Sequence, residues 1–485
     1  MKILIAASEA FPFCKTGGLG DVTGSLAQVF SRSESAEVVL FLPRYRNVGG
    51  GAYSPKAAGG SFLVPVGNRL ETATMSRVQW GKVAVYFIEN AKYFDRPGMY
   101  RSNSGDYEDN DERFIFFSRA VLEGAKFIGF KPDVIHCHDW QAGLVPAYLR
   151  TLYRIDSFYA KTAVVFTIHN IAYQGMFPRD TMAKAGFSWQ DFTPEKLEFY
   201  GGLNFMKAAL VFADLITTVS PTYASEIQYR PEFGHGLEGV LKSRTSELFG
   251  ILNGIDDEIW DPATDTFLAR GYELKSFQRG KAAAKLALQQ KLGLEENKDK
   301  ILAGVVSRLD YQKGLDVLLK VAPDFLDKIQ FVVLGIGDPG LADGLSALAA
   351  ANPRSFAFKA GFDEALAHRI YGGTDIFIMP SRFEPCGLPQ MISMRYGSLP
   401  LVTRTGGLKD TVFYNGEPKD SNGFAIDNAE EGQLKSVLGH IVSLFGWHEN
   451  WNMMVRNAMS GDYSWAKSAE AYLKLFNIAV QRRQM

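Results

Sequence analysis

Apolar, strand-forming runs recur along the chain, and each is followed by a turn rich in Gly, Ser, Asn or Asp and then by a helical pattern. Near-continuous apolar strands that alternate with helices are typical of parallel sheets covered on both faces. The first series of runs lies at residues 2–7, 38–42, 83–88, 133–136, 164–168 and 215–219. The second series lies at residues 301–307, 330–335, 375–379 and 399–403. Two such series predict an α/β protein with two doubly wound domains.

The chain length agrees with this division. At 485 residues the chain exceeds one ordinary hydrophobic core, and length alone suggests two or three domains. We place the change-over at Gly250, just before the segment 251–256, so that the first domain spans residues 1–249. A glycine-rich stretch at residues 49–60 predicts a mobile surface loop.

Composition and charge exclude several classes of protein. The chain is 46% hydrophobic and 22% charged, as in an ordinary globular enzyme, and its net charge is −1. This balance indicates neither a nucleic-acid partner nor an acidic membrane. No apolar stretch approaches the ~20 residues that span a bilayer, and the apolar start fits a buried strand better than a signal peptide. Cys14, Cys137 and Cys386 form no disulfide framework and lack zinc-ligand spacing, which favours a reducing cytoplasm.

Polar side chains follow most of the predicted strands. Ligands of doubly wound sheets bind outside the carboxyl ends of the strands, so residues at these positions are candidates for a site. They are His138-Asp139-Trp140, His169-Asn170, Ser220-Pro221, Arg308, Gly337-Asp338, Arg382-Phe383-Glu384 and Thr405-Gly406-Gly407. Two such sheet edges that face each other would form an interdomain cleft.

A glycine-rich loop, Lys15-Thr16-Gly17-Gly18-Leu19-Gly20-Asp21-Val22, follows the first strand. Its glycines let the backbone approach a ligand closely, and the helix that it opens presents N–H groups to a diphosphate. A dinucleotide-binding dehydrogenase would share Gly18-Leu19-Gly20, but there the glycines stand at the strand end, and here they come about ten residues later. The second strand also ends in Pro43-Arg44 and lacks the acidic residue that would bind a ribose. A purely structural helix entry with a surface lysine remains an alternative for this motif.

Two cations and one carboxylate stand out in the second series. Arg308 and Lys313 follow its opening strand, and two cations on a strand-end loop suit the phosphates of a nucleotide-diphosphate leaving group. A solvated turn is the alternative. Glu384 lies in the segment 380–388, where a carboxylate before a helix can bind sugar hydroxyls while helix N–H groups bind phosphate. Cys386 is expected to be a packed thiol, because no histidine accompanies it in sequence.

The first series contributes histidines and carboxylates. His138-Asp139 and His169-Asn170 supply polar groups, but the chain has no Gly-x-Ser-x-Gly elbow for a hydrolytic triad. The acidic run at residues 106–111 lacks the glycine and terminal glutamate of a calcium-binding loop, which favours a solvated helix entry. No Asp-x-Asp motif follows a strand, so the sequence indicates no metal site.

These motifs together resemble the bacterial glycogen synthase and plant starch synthase family of retaining glycosyltransferases. The matching segments occur in the family's order over nearly the whole chain. They are Lys15 to Leu19 with Asp21-Val22, Tyr93 to Gly98, His136 to Trp140, Thr167 to Asn170, Asn253 to Asp256, Ser307-Arg308-Leu309 with Gln312-Lys313-Gly314, Arg382 to Leu388, and Arg404 to Leu408. Chance does not produce so many motifs in the correct order.

The resemblance implies two Rossmann-like domains facing across a cleft, the two-domain glycosyltransferase fold. The first domain (1–249) is expected to bind the acceptor, and the second (250–463) the nucleotide sugar. A C-terminal helix at residues 464–485 is expected to cross back to the first domain, and the segment from Ser464 to Leu475 has the helical periodicity that this requires. The implied reaction transfers glucose from ADP-glucose to an α-1,4-glucan such as glycogen, with retention of the α anomer and release of ADP.

The resemblance also implies roles for individual residues. The expected catalytic residues are Glu384, Arg308, Lys313, His169 and Asp139. The expected donor-binding residues are Lys15, Gly17, Gly18, Asp21, Asn170, Asn253, Cys386, Gly387, Leu388, Thr405, Gly406 and Gly407. The expected acceptor-binding residues are Tyr93 and Trp140.

Retention of the anomer limits the mechanism. Retaining glycosidases use two carboxylates about 5–5.5 Å apart, one of them as nucleophile. No second carboxylate pairs with Glu384 in the sequence, and position 392 is Ile392. Front-face displacement, in which the departing phosphate takes the acceptor proton, needs only stabilised charge on the leaving group. Lys15, Arg308 and Lys313 can supply that charge, so that no metal or other cofactor is expected.

One position departs from the family pattern. After Cys386-Gly387-Leu388 the family typically carries threonine, and this chain carries Pro389. Proline has neither an N–H nor a hydroxyl to offer a donor phosphate. It does suit the first turn of a helix.

Other functions remain as alternatives. Another retaining two-domain sugar transferase, with a UDP-glucose donor, would share these motifs, and the sequence fixes neither the donor base nor the oligomeric state. A glucan phosphorylase would need a pyridoxal-linked lysine and a much longer chain. A non-catalytic glucan-binding protein would not need Arg308, Lys313 and the glycine-rich loop together.

Overall fold

The computed structural model describes residues 1–48, 53–102 and 104–484. The chain divides into two compact units. The first unit comprises Met1–Val219, Ala224–Asn253 and Trp465–Met485, and the second comprises Ser220–Tyr223 and Gly254–Ser464. The main passage from one unit to the other thus follows Asn253, close to the Gly250 chosen from the sequence.

A mixed sheet forms the centre of the first unit. Its strands and the short strands beside it are β1 (Lys2–Ala6), β2 (Glu37–Pro43), β3 (Lys56–Val66), β4 (Arg69–Trp80), β5 (Val83–Glu89), β6 (Arg101–Ser102), β7 (Gly105–Asp106), β8 (Val134–His138), β9 (Ala163–Ile168), β10 (Met176–Phe177), β11 (Glu198–Phe199), β12 (Gly202–Asn204), β13 (Leu215–Thr218) and β14 (Leu248–Gly250). In the described residues, nine of them pair in the order β14-β13-β9-β8-β1-β2-β5-β4-β3. The strands from β14 to β5 are parallel, whereas β4 and β3 form an antiparallel edge.

Helices connect these strands and cover them. They are α1 (Gly18–Ser31), α2 (Ala91–Phe94), α3 (Asn110–Phe127), α4 (Leu144–Arg150), α5 (Thr181–Ala185), α6 (Phe205–Phe212), α7 (Pro221–Tyr229), α8 (Pro231–Gly234) and α9 (Glu238–Ser243). The core strands β1, β8 and β9 are almost entirely buried. Strands buried on both faces explain the near-continuous apolar runs in the sequence.

The second unit has a wholly parallel sheet. Its strands are β15 (Ile301–Leu309), β16 (Ile329–Gly337), β17 (Phe356–Ala360), β18 (Ile376–Met379), β19 (Leu399–Thr403) and β20 (Phe424–Ile426), in the order β17-β16-β15-β18-β19-β20. Its helices are α10 (Phe277–Leu292), α11 (Leu315–Val321), α12 (Pro339–Ala351), α13 (Glu364–Gly373), α14 (Pro389–Arg395), α15 (Gly406–Thr411), α16 (Glu431–Phe445) and α17 (His448–Met459). Within the described ranges, none of the helices is both long and apolar enough to span a bilayer.

The last helix, α18 (Trp465–Gln484), is part of the first unit. The ring of Phe476 lies 5.4 Å from that of Phe30 on α1 and 5.1 Å from that of His136 on β8. The Ser468 hydroxyl donates a hydrogen bond to the Leu252 carbonyl at 2.5 Å. The fully buried Phe476 therefore belongs to the core that the N-terminal strands build.

The predicted strands are all present, but the sequence missed several others. The missed strands of the two sheets are β3, β4, β14, β17 and β20. The predicted surface loop at residues 49–60 is wrong from Lys56 onward, because β3 begins there; residues 49–52 lie outside the described part of the chain. Gly59 and Gly60 fall where the β3–β4 register shifts, between Ala57 and Ser61. Glycines at such an irregularity in an exposed edge strand resemble loop glycines in sequence.

Candidate active site

The turn after β15 positions Lys313 in the second unit. The Asp310 side chain accepts a hydrogen bond from the Lys313 N–H at 3.2 Å and so caps the 3-10 helix Tyr311–Lys313. Gly314 follows with φ 66°, and a Cβ atom there would overlap the carbonyl oxygen of Pro380. Glycine is required at this close approach. The turn therefore packs directly against the loop that follows β18.

Lys313 forms an ion pair with Glu384 on that loop. Lys313 Nζ lies 2.5 Å from Glu384 Oε2, and the Ser381 hydroxyl donates to the same oxygen at 3.3 Å. Glu384 is only 8% exposed. Such partners offset the cost of burying a carboxylate. The structure thus brings together two of the predicted catalytic residues.

Arg308 lies on the exposed side of the same turn. Its guanidinium is 3.1 Å from the Asp310 carboxylate and donates to the Gln312 side chain at 3.4 Å. It borders a groove of about 520 Å³ whose other lining residues are Leu309, Asp310, Tyr311, Asp316, Ile336, Gly337, Asp338 and Leu341. Arg308 therefore presents its charge to an open groove, whereas Lys313 faces a buried carboxylate.

The start of α15 packs on the backbone of the Glu384 loop. Gly406 has φ 43°, and a Cβ atom on it would overlap the Glu384 carbonyl oxygen; one on Gly407 would overlap the backbone of Cys386. The Gly407 N–H donates to the Pro385 carbonyl at 3.1 Å. The predicted donor-binding residues Thr405, Gly406 and Gly407 therefore adjoin Glu384.

The remaining predicted donor-binding residues of the loop lead into α14. Cys386 is buried, as expected for a packed thiol. The Gln390 amide donates to the carbonyls of Cys386 (3.1 Å) and Gly387 (2.9 Å), which fixes this stretch of backbone. After Leu388, helix α14 begins at Pro389, in agreement with the preference of proline for a first helical turn.

Glu9 organises the glycine-rich loop of the first unit. Its carboxylate accepts hydrogen bonds from the Thr16 N–H (2.5 Å), the Thr16 hydroxyl (2.7 Å) and the Gly17 N–H (3.3 Å). The Tyr100 hydroxyl donates to it at 2.6 Å. The Gly17 N–H is therefore bonded to a carboxylate in this structure and is not free for a phosphate. Sequence reasoning missed Glu9 and Tyr100, although Glu9 stands just beyond the first buried strand, where a doubly wound sheet places functional groups.

Lys15 and Asp21 form an ion pair on the exposed side of this loop. Their charged atoms are 3.0 Å apart, and Lys15 Nζ lies 4.8 Å from the ring centre of Phe11. A Cβ atom on Gly17 or Gly18 would meet no other atom within 4 Å. Open space therefore borders the two glycines that were predicted to approach the donor.

Asp139 follows β8 in a strained backbone conformation, with φ 52°. Its carboxylate accepts a hydrogen bond from the His169 N–H at 2.8 Å, so two predicted catalytic residues are in contact. Burial raises the pKa of Asp139 to about 7, although hydrogen bonds from the backbone of His169 and Asn170 oppose the shift. A carboxyl group that titrates near neutral pH is a common feature of active sites.

The predicted asparagines differ in their surroundings. The Asn170 side chain accepts a hydrogen bond from the Ala172 N–H at 3.0 Å, which closes a local turn after His169. Asn253 is buried at the end of the first unit's second segment, and its side-chain oxygen has no hydrogen-bond partner in the described ranges. Asn170 is thus next to the Asp139–His169 contact, whereas Asn253 lies at the boundary of the unit.

The two predicted acceptor residues differ in exposure. Tyr93 is fully buried, and its hydroxyl donates to Glu112 at 2.6 Å and accepts from Lys92 at 3.0 Å. A direct contact between the Tyr93 ring and a glucan is therefore not available in this structure, because α2 places the ring in the core. Trp140 is half-buried and packs on Phe114, with 4.9 Å between ring centres.

The acidic run before α3 is buried at its C-terminal end, so the predicted solvated helix entry is wrong there. Asp111 is 3% exposed and accepts hydrogen bonds from Thr181 (2.8 Å) and Lys184 (2.7 Å). Asp109 pairs with Arg96 at 2.6 Å. In the ranges that the structure describes, no group of three or more His, Cys, Asp or Glu side chains has the arrangement of a metal site.

Comparison with known proteins identifies the family. The profile of the starch synthase catalytic domain matches residues 2–243, and that of glycosyl transferases group 1 matches residues 288–443. A glycogen synthase of Elusimicrobium minutum is 53% identical over 99% of this chain and 100% of that protein. The chain belongs to the glycogen synthase and starch synthase family.

Other relatives of the family agree. A glycogen synthase of Geobacillus stearothermophilus is 43% identical over 100% of this chain and 99% of that protein. The catalytic domain of starch synthase IV from Arabidopsis thaliana, solved with ADP and acarbose, aligns with a TM-score of 0.90 at 34% identity and covers 99% of both chains. A sucrose-phosphate synthase from Thermosynechococcus elongatus, at 16% identity and a TM-score of 0.63, shares the fold. The two-domain glycosyltransferase fold and a glycosyltransferase enzyme are thereby confirmed.

Replacing Gly406 with alanine tests the backbone contact beneath Glu384. The added methyl group would overlap the Glu384 carbonyl oxygen at a φ that disfavours side chains, so we expect Gly406→Ala to destabilise the protein by about 2 kcal/mol or more. Calorimetric unfolding measures the loss.

Gly432→Ala is the matched control. Gly432 lies in α16, and a Cβ atom there would meet nothing within 4 Å. Because Gly432 is the second residue of the helix, alanine there should stabilise it by less than the roughly 0.5–1 kcal/mol typical of a helix interior. Equal unfolding temperatures for the two variants would contradict the proposed contact.

The raised pKa of Asp139 predicts a pH-dependent contribution to stability. Because the folded-state pKa lies near 7 and the ordinary value is 3.8, this contribution is fully present below about pH 4 and is lost as the pH rises to about 7. Asn cannot ionise, so the stability of Asp139→Asn relative to the original protein should increase by on the order of a few kcal/mol between these values. Unfolding midpoints measured across the range test this; a constant difference between the two proteins would refute it.

Proposed function

We propose that the protein transfers glucose from ADP-glucose to the non-reducing end of an α-1,4-glucan such as glycogen, with retention of the α anomer and release of ADP. The observation that carries this proposal is the Lys313–Glu384 ion pair beside Arg308, at the carboxyl edge of the six-stranded parallel sheet. This is the edge at which doubly wound sheets bind nucleotides. A glycogen synthase as a 53% identical relative supports the same reaction.

The cations are proposed to bind the diphosphate of the donor. Lys313 and Arg308 stand on one turn of the second unit, and the ion pair with Glu384 keeps the ammonium group of Lys313 in place. Lys15 of the first unit is the third proposed contact. Positive groups that are already in position stabilise the charge that develops on a departing phosphate.

Polar groups of each unit are proposed to bind the glucose. Glu384 accepts hydrogen bonds from sugar hydroxyls while Lys313 balances its charge. Asp139, His169 and Asn170 supply further hydrogen bonds from the first unit. Buried polar groups of this kind reject a substrate that lacks the matching hydroxyls.

A front-face displacement fits the chemistry of these groups. Glu384 is bonded to an ammonium group at 2.5 Å and to a hydroxyl, which lowers its reactivity as a nucleophile. We propose that the bond from the anomeric carbon to the phosphate oxygen breaks as the bond to the glucan hydroxyl oxygen forms on the same face. The glucan hydroxyl proton passes to the departing phosphate oxygen.

ADP is the proposed nucleotide because the Arabidopsis starch synthase structure was solved with ADP. Parallel assays with ADP-glucose and UDP-glucose test this choice. The proposed partners are the nucleotide sugar and the glucan, with neither nucleic acid nor membrane, and a cytoplasmic location is proposed from the family and the cysteine content.

Removing either cation should slow the reaction. We expect Lys313→Ala and Arg308→Ala to lower kcat by roughly 10²–10³-fold, the loss typical of one charge-stabilising group. Lys320→Ala is the control, because Lys320 is an exposed lysine of the same unit that pairs with Glu431 at the surface. Near-normal kcat with ADP-glucose and glycogen in both test variants would rule out the leaving-group role.

The same charge balance predicts activity without a divalent cation. Three cationic side chains are proposed to neutralise the diphosphate, so excess chelator should leave the rate of glucose transfer unchanged. Measuring that rate before and after dialysis against chelator is sufficient. A strict requirement for magnesium or manganese would disprove the assignment of the diphosphate to side chains alone.

A further inference from the structure

A second histidine lies behind His169 in the first unit. His138 Nδ1 is 2.9 Å from His169 Nε2, so one of the two nitrogens donates its proton to the other. Burial lowers the pKa of His169 to about 3, and burial together with His136 and His169 lowers that of His138 well below its usual value. Both rings are therefore neutral at neutral pH, and a single N–H lies between them.

The far nitrogen of His138 decides which ring donates. His138 Nε2 is buried, and it has no hydrogen-bond partner in the part of the chain that the structure describes. If His169 were the donor, His138 would carry its own proton on Nε2, and a buried N–H would be left without an acceptor. Orphaned buried N–H groups are rare, and unpaired buried acceptors are tolerated more often. His138 is therefore the donor, with its proton on Nδ1.

The neighbouring ring of His136 does not change this conclusion. Its centre lies 4.1 Å from that of His138, but His136 Nδ1 is itself buried without a partner in the described ranges, so it accepts nothing from His138. His136 Nε2 is 2.7 Å from the Thr167 hydroxyl, which occupies its other nitrogen.

We propose that His138 is a positioning residue that fixes the tautomer of His169, so that His169 carries its proton on Nδ1 and donates it to a hydroxyl oxygen of the bound sugar. His169 Nδ1 has no hydrogen bond to any described residue, and His169 as a whole is half-buried. Asp139 binds the backbone N–H of the same residue, so both the main chain and the ring of His169 are held. This inference rests on the proposed function, in which His169 contacts the sugar.

Nitrogen NMR of the full chain tests the tautomer directly. With selective ¹⁵N-histidine labelling, His169 is assigned by the signals that disappear in His169→Gln. We expect a protonated Nδ1 and a bare Nε2 on His169 in the original protein and in His138→Asn, whose amide N–H takes the position of the His138 Nδ1–H. His138→Leu removes the donor, and its His169 should show protonation at Nε2. A protonated Nε2 on His169 in the original protein overturns the proposal, whatever the activity. Because this result comes from the original protein, it decides the tautomer even if His138→Leu does not fold.

Kinetics separate positioning from a structural role. We expect kcat/KM for the sugar donor to fall about tenfold in His138→Leu, the effect of one lost hydrogen bond, and to recover most of this loss in His138→Asn. The Kd for ADP, which lacks the transferred glucose, should not change in either variant. His448→Leu, a change at an exposed histidine of the second unit, is the control. Equal losses in the Leu and Asn variants would overturn the proposal. If the original protein transfers no glucose, the proposed function is refuted. The ¹⁵N spectra of the histidine rings would still decide the tautomer of His169.

Discussion

The contact on which the proposed donor site depends most is the approach of two backbone segments in the second unit with no side chain between them. The start of α15 at Gly406 and Gly407 touches the main chain of Glu384 to Cys386, and Gly314 touches Pro380 at the start of the same loop. Contacts between main-chain atoms leave little freedom for the loop that they enclose. Glu384 and Lys313 thus meet because these contacts fix the backbone segments that carry them, and the ion pair itself need contribute little to folding.

The first unit holds its candidate residues in another way, through buried carboxylates that accept hydrogen bonds from the main chain. Glu9 accepts from the glycine-rich loop, and Asp139 accepts from the backbone of His169. Such bonds fix loops that contain few apolar side chains of their own. The arrangement leaves Lys15 exposed on a loop whose base is rigid, which suits a group that must reach a ligand.

The sequence predicted what depends on local pattern and on position relative to a strand. Buried parallel strands read as apolar runs, and the polar residues after them, such as Glu384 and Asp139, do lie at strand ends. The sequence predictions failed where packing between distant segments determines whether a side chain is buried. Tyr93 stands in a family motif, yet its ring turns into the core, and Asp111 is buried by Thr181 and Lys184 from a distant helix. Strand β3 was missed because Gly59, Gly60 and Pro65, residues typical of loops, interrupt its apolar positions.

The membership of α18 in the first unit has a consequence for synthesis of the chain. A ribosome completes residues 254–464, nearly all of the second unit, before α18 emerges. Until then, Phe30 and His136 lack the Phe476 ring that packs on them, so the nascent first unit exposes an apolar surface while the second is free to fold. Surfaces of this kind are the ones that chaperones bind. The first unit, whose synthesis begins first, is therefore completed last. A chain that stops short of α18 leaves the ribosome with that apolar surface uncovered.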